Sequence, residues 1–308
     1  MSLPSGTTRR RVLGAGLALG TLALAPARAA SGWQPAGLQQ ARQRDIASAL
    51  TGGHYRILVS VPDGPRPDRG HPVLYALDGN ATFPSLALMA RMVGWRAGLT
   101  GQDQPVVVGI GYARERDYDP ARGRDYTPPG AAAAGNEGGA DRFLDFIERE
   151  LKPLIRGLAP IDKARQALFG HSYGGLCVLH ALFTRPASFQ TYLAASPSIW
   201  YGERVVLQGI EGFRQRVATL PDKPSLMLTV GELERGTIKP GAPGNPDPRA
   251  AQRRMVEEAD ELAARLRQMP GALARVQYHL LAHENHGSAM FPAMARGLEF
   301  FVGGGTSV

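Results

Sequence analysis

The sequence predicts an α/β fold: a mostly parallel sheet flanked by helices on both faces. Three observations carry this expectation. Short runs of β-branched and aliphatic residues recur along the chain, each bounded by Gly, Pro or Asp. Several are almost continuously apolar, such as Val106-Val107-Val108-Gly109-Ile110, as suits strands covered on both faces. Segments with apolar residues at helical spacing lie between them, and strands alternating with helices build parallel sheets wrapped on both sides.

Taken in order, the chain opens on a targeting segment. Thr8-Arg9-Arg10-Arg11-Val12-Leu13 is a twin-arginine signature, an apolar stretch runs from Val12 to Leu24, and Ala27-Arg28-Ala29 offers a small-residue cleavage site. The apolar stretch is too short for a stable membrane span. Residues 1–29 are therefore expected to be an export signal, residues 30–308 a single domain, and the mature protein periplasmic or secreted. The formal charge is +8; removing Arg9, Arg10, Arg11 and Arg28 leaves +4. That suits an anionic small molecule, and with the arginines dispersed it gives no argument for nucleic acid. The one cysteine, Cys177, excludes an intrachain disulfide and a cysteine-based zinc site. Among Leu176, Val178 and Leu179 it reads as a buried, inert thiol.

The expected strands are His54–Val61, Pro72–Leu77, Pro105–Gly111, Ala167–Gly170, Thr191–Ala195, Leu226–Val230 and Arg275–Leu281. Asp141–Leu158 carries Phe143, Leu144, Ile147, Leu151, Leu154, Ile155 and Leu158 at helical spacing, and Pro248–Met269 is a second long helix. Ala113–Gly139 and Gly236–Asp247, rich in Gly and Pro, are too long for plain connectors and read as loops near a site.

Gly170-His171-Ser172-Tyr173-Gly174 has the pattern of a nucleophile elbow between a strand and a helix. A serine on so sharp a turn is strained, and the backbone beside it must pack closely, which glycine allows. Serine needs a base and a group that orients the base. Of seven histidines, His286 lies just past the last strand with Gly287 after it, and is the expected base; His283 is the competitor. Read as a metal pair, His283 and His286 lack a third ligand. The acid is expected after the strand Leu226–Val230, where Glu234 is the first choice and Glu232 the second. An oxyanion hole needs two N–H donors: one from Tyr173, the other from Gly79 or Asn80 in the turn Asp78-Gly79-Asn80.

These motifs resemble the periplasmic trilactone-siderophore esterases, in the esterase branch of the α/β-hydrolases. The resemblance rests on Leu77-Asp78-Gly79-Asn80-Ala81, Arg122-Gly123-Arg124-Asp125-Tyr126-Thr127-Pro128, Gly170-His171-Ser172-Tyr173-Gly174-Gly175 and His286-Gly287-Ser288, with Ala195-Ser196-Pro197-Ser198-Ile199-Trp200-Tyr201 alongside. It spans about Ile46 to Phe301. It implies an α/β-hydrolase fold and an esterase that opens a catechol trilactone of the enterobactin or salmochelin type, with iron as cargo and no cofactor or metal of the protein's own. It further implies that Arg122 or Arg124 holds the substrate's negative charge, with Tyr126 in the same motif, and that Trp200 and Tyr201 line the acyl pocket. A general exported carboxylesterase acting on acetyl, feruloyl or aryl esters, and a non-catalytic siderophore-binding relative, are the alternatives.

Overall fold

A computed structural model describes residues 37–130, 135–235 and 253–303. Among them eight strands form one sheet: β1 Ala41–Ala47, β2 His54–Ser60, β3 His71–Leu77, β4 Val106–Tyr112, β5 Ile161–His171, β6 Thr191–Ala195, β7 Ser225–Gly231 and β8 Arg275–Leu281. Their spatial order is β1-β2-β4-β3-β5-β6-β7-β8. β1 and β2 are antiparallel to their neighbours, and β3 to β8 run parallel. The fold is the one that the alternating strands and helices predict.

Burial of both faces explains the apolar strands. All seven residues of β3 are buried. Val73, Tyr75 and Leu77 point into one core, and Leu74 and Ala76 into the other, as the twofold period of a strand requires. One layer holds α1 (Gly79–Thr100) and the last helix, α9 (Met290–Val302), packed on Leu74, Ala76, Val107 and Phe169. The opposite layer holds α3 (Ala140–Phe146), which continues through a π-helical turn, Ile147–Leu151, into α4 (Lys152–Leu158). It also holds α5 (Tyr173–Thr184), α7 (Gly209–Ala218) and α8 (Met255–Arg267). Two short helices, α2 (Arg122–Tyr126) and α6 (Tyr201–Arg204), lie in the loops after β4 and β6.

The seven expected strands all form, with changes at their ends. β5 starts at Ile161, ahead of the expected Ala167; its first half is polar and partly exposed, so it lacks the apolar signal of a covered strand. β1 was not expected. Its sequence, Ala-Arg-Gln-Arg-Asp-Ile-Ala, is mostly exposed at the sheet edge, so it carries none of the apolar signal of a covered strand; its polar surface suits an edge that must not recruit another chain. The loop Ala113–Gly139 contains α2, with residues 131–134 outside the described residues. The expected export signal, the loop Gly236–Asp247 and the first residues of the helix expected from Pro248 also lie outside them. No helix among the described residues is long and apolar enough to cross a membrane.

The topology fixes where a site forms. β3 connects through α1 to β4 on one side, while β5 lies on its other side. Such a switch opens a crevice at the carboxyl ends of the strands. Asp78-Gly79-Asn80 leaves β3 there, and Ser172 leaves β5.

Candidate active site

The elbow forms because its glycines admit backbone where a side chain would not fit. A Cβ on Gly170 would lie 2.3 Å from the Gly174 carbonyl oxygen, and one on Gly175 would lie 2.7 Å from that of Ala195. The β5 end and the start of α5 therefore touch, and Ser172 takes the turn at φ 60°, ψ −118°. Its hydroxyl stands at the N-terminus of α5, where free N–H groups and the helix dipole favour negative charge.

Three side chains from three strand ends meet in line. The Ser172 hydroxyl donates to His286 Nε2 at 3.0 Å, and His286 Nδ1 donates to Glu234 Oε2 at 2.6 Å. An ionised carboxylate only accepts, so the proton sits on Nδ1 and Nε2 is open to take one from serine. Glu234 occupies a single 3-10 turn after β7, and its side chain is 3 % exposed. Glu232, two residues earlier, faces away and accepts from the backbone N–H of His283 at 3.0 Å. Gly231 makes this junction: a Cβ there would lie 2.4 Å from the Glu284 carbonyl oxygen. The Leu233 N–H donates to that same oxygen at 3.0 Å, so the acid turn and the histidine loop are stitched together.

Sequence reasoning missed Ser196. Its hydroxyl donates to Glu234 Oε1 at 2.6 Å, beside a second donor, the Gly231 N–H at 2.8 Å. Ser196 is fully buried at the end of β6 with φ 40°, a strained turn that aims its hydroxyl at the acid. A hydroxyl bonded to a charged group contributes about 1.5–3 kcal/mol. Ser196→Ala is expected to lower kcat about tenfold with KM unchanged, the equivalent of about 1.4 kcal/mol in the barrier, checked by steady-state kinetics on any substrate that acylates Ser172.

The turn after β3 is the second surprise. Asp78 has φ 51°, ψ 48° and is 2 % exposed. Gly79 must be glycine, since a Cβ there would lie 2.5 Å from the Gly109 carbonyl carbon. The Asn80 side chain ties α1 to the end of β4, accepting from Tyr112 N–H at 3.0 Å and donating to the carbonyls of Tyr112 and Arg114 at 3.2 and 3.0 Å. The backbone N–H groups of Gly79 and Asn80 belong to the first turn of α1, and that of Tyr173 to the first turn of α5; such groups have no partner inside their own helix.

The side chains expected to touch substrate are mostly tied to other groups of the protein. Arg122 forms a two-pronged pair with Asp78, both bonds 2.8 Å. Arg124 does the same with Asp125, at 2.6 and 3.0 Å, and Asp125 also accepts from the hydroxyls of Tyr55 and Tyr112. Both guanidinium charges are thus balanced inside the protein. Tyr126 is fully buried, its hydroxyl oxygen accepting from Asp78 N–H at 3.0 Å. Tyr201 is 6 % exposed and its hydroxyl donates to Glu137 at 2.7 Å, so it packs edge-on behind Tyr173 with ring centroids 5.6 Å apart. Trp200 is half-buried, as are Arg122 and Arg124; it stands 6.2 Å from the Tyr173 ring, under the Arg253 guanidinium. For Arg122 and Tyr126 the reason is that Arg-Gly-Arg-Asp-Tyr reads as exposed polar loop, whereas their shared partner, Asp78, comes from the end of a distant strand.

His171 packs its ring on that of His286, centroids 4.7 Å apart, and is 6 % exposed. Burial, with the His286 ring next in effect, holds its pKa from the ordinary 6.5 down to about 3. The ring is therefore neutral in the fold, where a second positive charge beside His286 would oppose the protonated form of that residue. In the unfolded chain His171 takes up a proton below about pH 6.5. Between pH 6.5 and 3 the unfolded state binds more protons, so this group removes stability as the pH falls through that window. The urea midpoint of wild type should thus fall more steeply over that window than that of His171→Asn. Cys177 is buried and unbonded, and burial pushes its thiol pKa up, leaving the thiol uncharged and unreactive.

Comparison with known proteins adds a family to this geometry. A family model described as "Putative esterase" matches residues 48–227. The ferri-bacillibactin esterase BesA of Bacillus subtilis is 36% identical over 256 residues, 80% of this chain and 84% of the relative. The siderophore triacetylfusarinine C esterase of Aspergillus fumigatus is 38% identical over 243 residues, 75% of this chain and 81% of the relative. The crystal structure of the BES protein from Bacillus cereus superposes with a TM-score of 0.78 at 35% identity, covering 88% of this chain and 97% of that one.

Proposed function

The chain belongs to the "Putative esterase" family of α/β-hydrolases, and from that premise we propose that it is a siderophore esterase working through Ser172, His286 and Glu234. The observation that carries this reading is the hydrogen-bonded line of these three side chains, 3.0 and 2.6 Å per link, at the carboxyl ends of β5, β7 and β8. Ser172 Oγ attacks the ester carbonyl carbon while His286 Nε2 takes its proton. Glu234 holds the imidazole in the required tautomer and stabilises its charged form. The oxyanion is received by the N–H groups of Tyr173 and of Gly79 or Asn80. His286 then protonates the leaving alcohol, and water, deprotonated by the same nitrogen, releases the acid and restores the serine.

The names of the relatives, a ferri-bacillibactin esterase and a siderophore triacetylfusarinine C esterase, support a siderophore ester as substrate, and the sequence motifs support the finer reading. The substrate is then a catechol trilactone of the enterobactin type, a small anionic molecule that carries iron as cargo. Trp200 offers an aromatic surface to a catechol ring. The arginine-rich leader is an export signal, residues 30–308 the single catalytic domain, and the periplasm or the outside of the cell the place of action. Incubating the purified protein with ferric and iron-free enterobactin, beside a short-chain nitrophenyl ester, tests the assignment. Trilactone cleavage with a kcat/KM far above that for the nitrophenyl ester is the expected result. Cleavage of the nitrophenyl ester alone would make it a general carboxylesterase.

A further inference from the structure

We propose that the Asp78–Arg122 pair is a clamp that positions the oxyanion hole, holding the loops that carry its two donors at a fixed separation. The inference rests on the serine-esterase reading above and deepens it. It reassigns Arg122 from a substrate-binding to a positioning residue.

The two donors come from separate loops. Gly79 and Asn80 follow β3; Tyr173 follows β5. No peptide link fixes their spacing, yet an oxyanion hole works only when both N–H groups sit about 2.7–3.1 Å from one oxygen position. Arg122 spans the gap. Its Nε and Nη2 bind the two oxygens of Asp78, the residue just before Gly79, at 2.8 Å each. Nη2 also reaches the carbonyl oxygen of His171, one residue before Ser172, at 3.4 Å. Its guanidinium carbon lies 5.5 Å from the ring centroids of Tyr118, Tyr126 and Tyr173, and Tyr173 is the second donor residue. The Asp78 carboxylate itself lies against the elbow: a Cβ on Gly174 would be 3.5 Å from its Oδ2.

Asp78 needs such a hold. An aspartate at φ 51°, ψ 48° is strained, and such a conformation persists only where its surroundings impose it. Here they do so at both ends of the residue. Arg122 fixes the carboxylate, and the Tyr126 hydroxyl accepts from the backbone N–H at 3.0 Å. The planar fork of arginine fits a carboxylate with two parallel bonds, which a lysine ammonium cannot reproduce. A guanidinium so committed has little charge left for an anionic substrate.

The test uses a neutral short-chain nitrophenyl ester, which has no anion to bind, and measures Arg122→Lys, Arg122→Gln and Tyr126→Phe in the full chain. A donor displaced by about 1 Å costs on the order of 10²-fold. The clamp predicts that Arg122→Gln lowers kcat for this neutral ester about 10²-fold with KM within twofold. Arg122→Lys should recover only part of that, and Tyr126→Phe, an isosteric change, should lose about fivefold. Thermal melts identify any variant that does not fold; if Arg122→Gln fails there, Arg122→Lys and Tyr126→Phe decide. Unchanged kcat on the neutral ester, with KM raised only for the anionic siderophore, would overturn the clamp and return Arg122 to substrate binding. The rate of Ser172 labelling by a fluorophosphonate gives a second readout that needs no turnover. It should fall in parallel, and an unchanged labelling rate would also count against the clamp. Wild type that cleaves the nitrophenyl ester but not enterobactin would refute the substrate assignment and leave this comparison intact.

Discussion

Ser172→Ala is expected to lower kcat on the order of 10⁴- to 10⁶-fold while leaving siderophore affinity within a fewfold of wild type. The change removes one oxygen, the atom that bonds His286 Nε2 at 3.0 Å, and with it the covalent route. It leaves the fold intact, because alanine at φ 60°, ψ −118° is no more strained than serine. The tight contacts that shape the elbow belong to Gly170 and Gly175, not to the serine side chain. The residual rate would be what the oxyanion donors and substrate positioning supply to water. Chromatographic product analysis gives kcat, and quenching of intrinsic fluorescence by ferric enterobactin gives Kd. Turnover equal to wild type would end the acyl-enzyme reading. Lost binding together with lost turnover would point instead to a damaged pocket.

The parts of this site that sequence reveals are those whose signal is local. Gly170, Ser172 and Gly174 are legible because a strained elbow dictates residue types within five positions. His286 is legible because it follows a strand and precedes a glycine. Ser196 is not, because its role lies in a φ of 40° and a bond to a residue 38 positions away. The Asp78–Arg122 pair spans 44 positions, so the sequence shows two separate charges where the fold has one neutral pair. The same distance hides that Arg122 is paired, whereas the partner of Arg124, Asp125, is its next neighbour. The fold behaves alike: strands covered on both faces announce themselves by apolar runs, whereas β1, with its polar edge, is defined only by pairing with β2.

Backbone strain sorts the site from the scaffold. Of the eight non-glycine residues with positive φ among the described residues, Asp78, Ser172, Ser196 and His283 directly follow β3, β5, β6 and β8 or lie within two residues of their ends. Each turns the chain at the carboxyl edge of the sheet, where the proposed nucleophile, the acid's partner, the base and the oxyanion donors are needed. The buried sheet supplies the rigidity that imposes these turns, which links the apolar strands directly to the chemistry.

Glu234→Gln should cost about 10³- to 10⁴-fold in kcat with little change in fold, by forcing the wrong histidine tautomer. The argument turns on the far oxygen of the carboxylate. Oε1 accepts from two donors, Ser196 Oγ–H at 2.6 Å and Gly231 N–H at 2.8 Å. In glutamine only the carbonyl oxygen accepts, so it must occupy that position and turn its NH₂ toward His286. Nδ1 then becomes the acceptor, the ring proton moves to Nε2, and Nε2 no longer takes the serine proton. Glu232→Gln is the matched control. Among the described residues its carboxylate accepts only the His283 N–H, which glutamine's carbonyl oxygen also accepts, so kcat should fall less than threefold. A ¹⁵N spectrum of the imidazole would show the proton on Nδ1 in wild type and on Nε2 in Glu234→Gln. Equal losses in the two variants, or an unmoved proton, would remove Glu234 from the role of orienting acid.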